Sequence, residues 1–236
     1  MSEKKIIQSK IFLENESNAW LNRSEKINPS KQFKVPNERL ILANWCSSRK
    51  NRIENILEIG VGNGVSLAFL SKALDANANG IDPSSQAIEN WEKIRTNVDG
   101  GDKTNLQLGI SSDLPFPQDK FDLVIFGSCL CWIERQCLFR SISEADRVLK
   151  DGGLLAIIDF DPISPYANPY IHRDSLNTYK TNYSDIFLAS KHYSLMYKHS
   201  FSHSSINFDE KIDERMALSL LFKQEDEVYF QHWKKE

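Results

Sequence analysis

The stretch 55–64, NILEIGVGNG, constrains the fold of this chain more than any other. A short apolar run that stops at a glycine is the pattern of a strand buried on both faces. Gly60, Gly62 and Gly64 then alternate through a turn, and VSLAFLSKAL continues with helical composition. Glycines at these positions permit a tight turn and a close approach of a ligand to the backbone. The helix N-terminus behind them offers unpaired N–H groups.

The same strand–turn–helix pattern recurs downstream. NANGIDP gives a second short strand ending at Asp82, and Ser84 or Ser85 can cap a helix running to about Asn97. Ala87, Ile88, Trp91 and Ile94 fall on one face of that helix. LQLGI is a third strand, and the proline-bearing loop SSDLPFPQDK leads to a fourth, FDLVIFG. Residues 134–149 read as a helix through Leu138, Ile142, Ala145 and Leu149, ended by a turn at Asp151-Gly152-Gly153. LLAIIDF is a fifth buried strand. Alternating strands and helices over residues 55–160 predict a parallel sheet with helices on both faces.

The flanks differ from this core. Residues 11–23, IFLENESNAWLNR, read as a helix with an apolar edge at Phe12, Ala19 and Trp20, and residues 36–49 open a second helix at Pro36. Residues 1–50 carry ten basic and five acidic residues, against an acidic remainder, which suits a lid or docking surface as well as a solvated extension. Residues 161–192 are aromatic, polar and punctuated by proline, as an insertion over the sheet would be. Two weakly alternating runs, at about 193–201 and 215–222, predict an antiparallel hairpin at the sheet edge.

Composition removes several classes of function. The net charge is -3, and no basic stripe with interleaved aromatics runs through the insertion, so a nucleic-acid partner is not expected. No apolar run reaches the roughly 18 residues of a membrane span. The start, MSEKKIIQSK, lacks the apolar stretch of a signal peptide. The expected location is cytoplasmic, without membrane contact. Cys46, Cys129, Cys131 and Cys137 are then expected to be free thiols, and no carboxylate–histidine cluster has the spacing of a metal site.

Three cofactors compete for the glycine loop. A nucleoside triphosphate requires G-x-x-x-x-G-K-[ST], and the lysine is missing. A dinucleotide requires G-x-G-x-x-G, and Val65 stands at the position of the third glycine. The third is S-adenosylmethionine. Glu58-Ile59-Gly60-Val61-Gly62-Asn63-Gly64 resembles the E-x-G-x-G-x-G motif of the class I methyltransferases, with Asp82 of GIDPS where they place the acid ending strand two. DLPFPQDKFDLVIFG and EADRVLKDGGLLAIIDF resemble their later segments, so the likeness covers about residues 50–160.

The resemblance implies a Rossmann-like, doubly wound α/β fold with a mostly parallel sheet. It implies a cofactor site of Glu58, Gly60, Gly62, Gly64, Asp82, Pro83, Ser111, Ser112 and Gly127, with the Asp82 carboxylate accepting from both ribose hydroxyls. Ile110 departs from the pattern, because many relatives carry an acid or other polar residue there for the adenine amino group; the Ser111 backbone N–H is then expected to meet the adenine ring and Ser112 or Asp113 to supply the polar contact. At the N-terminus, FLENESNAWLNRS resembles the F-x-x-x-x-x-x-x-W-x-x-R helix of methylases found with sugar and surface-glycan genes, including pseudaminic-acid-associated ones. That likeness implies Arg23 facing the methionine carboxylate with Trp20 as packing; the alternative is a surface Arg23 and a core Trp20.

Ligands of open α/β sheets sit beyond the carboxyl ends of the strands. That rule selects Cys129 and Trp132 after strand four, with Arg173, Tyr179 and Tyr183 of the insertion closing a substrate pocket. An amine or hydroxyl acceptor must lose a proton, and His172 is the expected base, with Asp161 as runner-up.

The expected organisation is one methyltransferase domain. A helical lid covers residues 1–50, a cofactor core 51–160, a substrate insertion 161–192 and C-terminal strands 193–236. The expected reaction is methyl transfer to a sugar, a sugar nucleotide or an amino-acid-like metabolite. A peptide methyltransferase, an NAD-dependent oxidoreductase and a non-catalytic binding protein of the same fold stand as alternatives.

Overall fold

The computed structural model describes residues 8–27 and 35–225. In chain order, α1 (Gln8–Ile11) passes through a π-helical segment (Phe12–Glu16) into α2 (Ser17–Ile27), followed by α3 (Asn37–Ser47). Next come β1 (Asn55–Ile59), α4 (Val65–Leu74), β2 (Asn77–Asp82), α5 (Ser85–Ile94), β3 (Thr104–Leu108), β4 (Phe121–Gly127), α6 (Arg135–Val148) and β5 (Leu149–Phe160). The chain closes with β6 (Tyr166–Pro169), β7 (Asn177–Lys180), α7 (Ser184–Ala189), β8 (Tyr193–Ser202) and β9 (Arg215–Lys223).

Seven strands form one sheet in the order β3-β2-β1-β4-β5-β9-β8. The first five run parallel, and β9 and β8 add an antiparallel edge. Such an edge suits the sequence, because β8 has mixed burial while β9 is buried along most of its length. The predicted doubly wound architecture and its C-terminal hairpin are the observed ones.

Apolar side chains on the two faces of the sheet build two cores. One face packs Leu42 and Cys46 of α3, Leu67 and Leu70 of α4 and Trp91 of α5 against Ile56, Leu123 and Leu218. The other packs Ala145 and Val148 of α6 and Phe187 of α7 against Leu57, Val124 and Leu155. Full burial of a large apolar side chain is worth about 1.5–3 kcal/mol. The two cores therefore fix the level at which β1, β2 and β4 end, and the site is built beyond those ends.

Two local expectations differ from the structure. α6 is not ended by a glycine turn: Leu149 is already extended and paired with Phe121. Gly152, at φ +73°, lies inside β5 where the register with β4 shifts. The Lys150–Asp122 ion pair, at 2.7 Å, holds this early part of the strand against β4. The N-terminal helix buries Ile11 and Leu21, while Trp20 is 41% exposed, so Trp20 is not core. The insertion forms a separate hairpin of β6 and β7. No helix among the described residues is long and apolar enough to cross a membrane.

Candidate functional site

A cavity of about 420 Å³ opens beyond the carboxyl ends of β1, β2 and β4. Its walls are the glycine loop, the turn after β2, the loop after β3, the segment after β4, and residues of the N-terminal helices and α3.

Asp82 organises one side. It closes β2, and its Oδ2 accepts from the Gly62 N–H at 2.8 Å while Oδ1 accepts from the Ser84 N–H at 2.8 Å. One carboxylate thus ties the glycine loop to the turn after β2. Burial pushes its pKa up, and the two N–H donors pull it back. A carboxylate has about four lone-pair sites, so acceptor capacity remains for a diol. The glycine loop is fixed from below by Gly60, whose N–H donates to the Ile81 carbonyl at 2.8 Å. Gly60 sits at φ +77°, and a Cβ there would lie 2.5 Å from the Cys129 Cβ. Only glycine lets β1's turn pass the segment after β4.

The opposite side holds a buried ion pair. Arg39 of α3 donates from Nη2 to Glu58 Oε1 at 2.5 Å, against Gly127. Among the described residues, Arg39 Nε and Nη1 and Glu58 Oε2 are buried without hydrogen-bond partners. Burial raises the Glu58 pKa, and Arg39 offsets part of the rise. Arg39 shares a helix face with Leu42, Ala43 and Cys46, at i+3, i+4 and i+7. An arginine in register with a core stripe is the signal that sequence reading passed over.

The segment after β4 forms the floor. Cys129 donates its thiol to the Ile59 carbonyl at 3.2 Å, and Asp159 of β5 accepts from the Cys131 N–H at 3.3 Å. Burial raises the pKa of both thiols, and the Asp159 charge adds to it, so neither is an activated nucleophile. All four cysteines are free.

The N-terminal helices form the cover. The Ser17 hydroxyl shares its one proton between the Phe12 carbonyl at 2.7 Å and the Pro83 carbonyl at 2.9 Å, bridging the π-helical segment to the turn beside Asp82. Asn18 accepts from the Ser84 hydroxyl at 2.7 Å and from the Gln86 N–H at 3.1 Å. Phe12, Trp20 and Leu21 face the cavity, and Phe12 packs on Trp132 with ring centroids 5.5 Å apart.

The structure therefore brings Glu58, Gly60, Gly62, Asp82, Pro83, Ser111, Ser112, Gly127, Cys129 and Trp132 to one cavity. Gly64 lies just behind it, against Trp91. The remaining expected residues stand elsewhere. Arg23 pairs with buried Glu16 and donates to the Tyr170 hydroxyl at 2.9 Å, so it braces the cover from outside. Arg173 reaches the same Glu16 at 3.3 Å and Asn15 at 2.6 Å. Asp161 is paired with Lys198 at 2.8 Å. His172 is exposed at the tip of the β6–β7 hairpin, against Tyr170. Tyr183 is buried in the second core, donating to the Tyr179 carbonyl at 2.5 Å. The hairpin docks on the outer side of Trp132 and of the N-terminal helices, which places these polar groups one layer beyond the cavity. Besides Arg39, Glu134, Cys137 and Ser141 line the cavity without having been anticipated.

Residues 57–157 match the family model of a methyltransferase domain. The chain is 30% identical over 107 residues to 27-O-demethylrifamycin SV methyltransferase of Amycolatopsis mediterranei, covering 45% of this chain and 39% of that protein. It is 35% identical over 105 residues to a demethylmenaquinone methyltransferase of Symbiobacterium thermophilum, covering 42% and 40%. The chain thus spans about two fifths of the length of these relatives. Among solved structures, it resembles the 1,6-didemethyltoxoflavin-N1-methyltransferase of Burkholderia thailandensis with bound S-adenosylhomocysteine. The TM-score is 0.63 at 14% identity, covering 89% of this chain and 90% of that one. Residues 57–157 are thus similar to methyltransferase domains, and the sheet order with the glycine loop facing Asp82 gives the chain the fold of that solved structure.

Proposed function

We propose that this protein transfers a methyl group from S-adenosylmethionine to a small acceptor, a sugar, sugar nucleotide or amino-acid-like metabolite. The observation that carries this reading is the pair of complementary ends of one cavity. Asp82, held by Gly62 and Ser84, suits a ribose diol. Arg39 and Glu58, with unpartnered buried N–H and oxygen atoms, suit the carboxylate and ammonium of an amino acid. The donor set fits the cofactor at both ends, and Arg39 takes the role that the sequence suggested for Arg23.

The cofactor supplies a methyl group on a sulfonium, which is electrophilic without further activation. The residues of this chain then have three tasks. Asp82 and the Gly62 backbone fix the ribose, and Arg39 with Glu58 fixes the amino-acid end, so the methyl group is held in one orientation. Ile59, Val61, Leu21, Phe12 and Trp132 exclude water from the reacting atoms. The segment 128–132, anchored on Asp159, presents the acceptor. Alignment of this kind supplies much of the acceleration of an in-line displacement. His172 and Asp161 stand outside the cavity in this conformation.

In the same reading the chain is one functional unit: the described residues of 1–50 are its lid, 51–160 its cofactor core, 161–192 the insertion that buttresses the lid and 193–225 the closing strands, with 1–7, 28–34 and 226–236 lying outside the described residues. A small acceptor is favoured because the cofactor already takes much of a cavity of about 420 Å³ under a pinned cover. The N-terminal likeness to surface-glycan methylases supports the sugar class. The test is calorimetric binding of S-adenosylhomocysteine to the wild type and to Asp82→Ala, followed by a mass-spectrometric screen of acceptors for a gain of one methyl group. Micromolar binding that Asp82→Ala abolishes supports the reading, and absence of binding to the wild type removes it.

A further inference from the structure

Glu134 immediately precedes α6 and is 6% exposed, yet its side chain makes no capping bond to that helix. It lines the cavity instead. Its two oxygens are unequal. Oε1 accepts from the Ser9 hydroxyl at 3.2 Å and from the Cys137 thiol at 3.1 Å. Oε2 is buried with no hydrogen-bond partner among the described residues. An orphaned buried acceptor costs about 1–3 kcal/mol, and more when charged, so a donor from a ligand is the natural complement.

The surroundings say which donor. Glu134, Cys137 and Ser141 lie at i, i+3 and i+7 on one face of α6, and all three line the cavity. Ser141 shares a 2.8 Å hydrogen bond with Ser111 of the loop after β3 and donates to the Cys137 carbonyl at 3.1 Å. This polar row runs from the β3 loop to Glu134. β3 pairs with β2 so that Leu108 lies beside Asp82. A nucleoside held by its ribose at Asp82 therefore directs its base toward Gly109–Ser112 and this face of α6. Ile110 is apolar there, Ser111 and Ser141 satisfy each other, and the Cys137 thiol is spent on Glu134. Among the described residues, Glu134 Oε2 is the buried side-chain acceptor on that wall that has no partner.

We infer that Glu134 is the specificity residue for the base, its free carboxylate oxygen accepting from the exocyclic amino group of adenine in place of an acid at position 110. This rests on the cofactor reading above. A carboxylate only accepts, so a 6-amino purine is favoured and a 6-oxo purine, which presents an acceptor, is rejected. Sites built around such a donor discriminate strongly against analogues that lack it.

The test compares calorimetric affinities of the full chain for S-adenosylhomocysteine and S-inosylhomocysteine. The wild type is expected to favour the adenosyl compound at least ten-fold. Glu134→Gln, whose amide both donates and accepts, is expected to bind the inosyl compound more tightly than the wild type does. Glu134→Leu is expected to lose affinity for the adenosyl compound. The gain for the inosyl compound is a signal that a misfolded variant does not give, and Asp82→Ala should weaken both compounds alike. Equal wild-type affinity for the two compounds overturns the inference. So does a Glu134→Gln protein with unchanged nucleoside affinities, including one in which only the KM of the acceptor rises. Binding of neither nucleoside to the wild type overturns the cofactor reading itself, and is told apart by the missing baseline.

Discussion

Arg39 and Glu58 are nineteen residues apart and meet in a buried ion pair, 2.5 Å from Nη2 to Oε1, at the wall of the cavity. Their side chains are 8% and 2% exposed. Breaking a buried pair by removing one partner leaves an uncompensated charge and costs about 3–5 kcal/mol. Arg39→Met should lower the unfolding free energy by that amount in urea titrations. Arg39→Met with Glu58→Leu should recover most of it, while cofactor binding stays lost in both. A single variant as stable as the wild type contradicts the packing described.

Asp82 should make cofactor affinity sensitive to mild acid. Its pKa is raised by burial, with the Ser84 and Gly62 N–H groups opposing the rise. The ionised form accepts from the ribose hydroxyls, so binding is present above the folded pKa and lost as pH falls through it. The loss should begin above the ordinary carboxylate range. Affinity for S-adenosylhomocysteine measured from pH 8 downward checks this, and a pH-independent profile counts against the ribose role.

Gly60 and Gly62 should respond differently to alanine. At Gly60 the new Cβ meets the Cys129 Cβ at 2.5 Å and the left-handed φ adds strain, so Gly60→Ala should cost about 3 kcal/mol. At Gly62 nothing lies within 4 Å, and φ +57° alone should cost about 1 kcal/mol. Gly62→Ala should therefore fold but bind cofactor weakly, because its methyl group enters the cavity. Thermal melts and calorimetry on both variants separate the two effects.

Asp159 should leave a signature in stability against pH. Burial raises its pKa to about 6, opposed by the Phe160 and Cys131 N–H groups. A carboxyl raised on folding stabilises most at low pH and loses that contribution as pH rises through the folded value. Relative to Asp159→Asn, the wild type should lose about 2 kcal/mol between pH 4 and pH 7, most of the span set at 1.36 kcal/mol per pKa unit. Parallel urea curves at four pH values test it; equal slopes for the two proteins contradict it.

Local pattern made the core legible. Residues 55–64 fold as strand, turn and helix because apolar run, glycines and helix formers are adjacent in the chain, and Asp82 follows from the same rhythm. Arg39 was not legible in that way, since its partner lies in the next element and only the three-dimensional crossing of α3 over β1 joins them. Glu134 was masked by its place before α6, where an acidic residue needs no special explanation. The insertion misled for a different reason. Its polar and aromatic composition marks it as a layer near the site, but composition carries no orientation: the hairpin leaves His172 exposed and turns Arg173 onto Glu16, while Tyr183 just beyond it is buried. The antiparallel pairing of the C-terminal strands was readable as a hairpin at the sheet edge, while their register, with its shift between Leu195 and Tyr197, was not.

The hydrogen bonds from Ser17 and Asn18 to Pro83, Ser84 and Gln86 tie the cover to the turn that carries Asp82. Escape of the spent nucleoside and release of that fastening are thus one event. Asn18 also donates to Ser85, and Asn22 pairs with Gln86, so residence time should follow how often these small polar links let go together. Turnover then has a clock set far from the methyl group: Ser17→Ala and Asn18→Ala should quicken dissociation in stopped-flow traces while the chemical step keeps its pace.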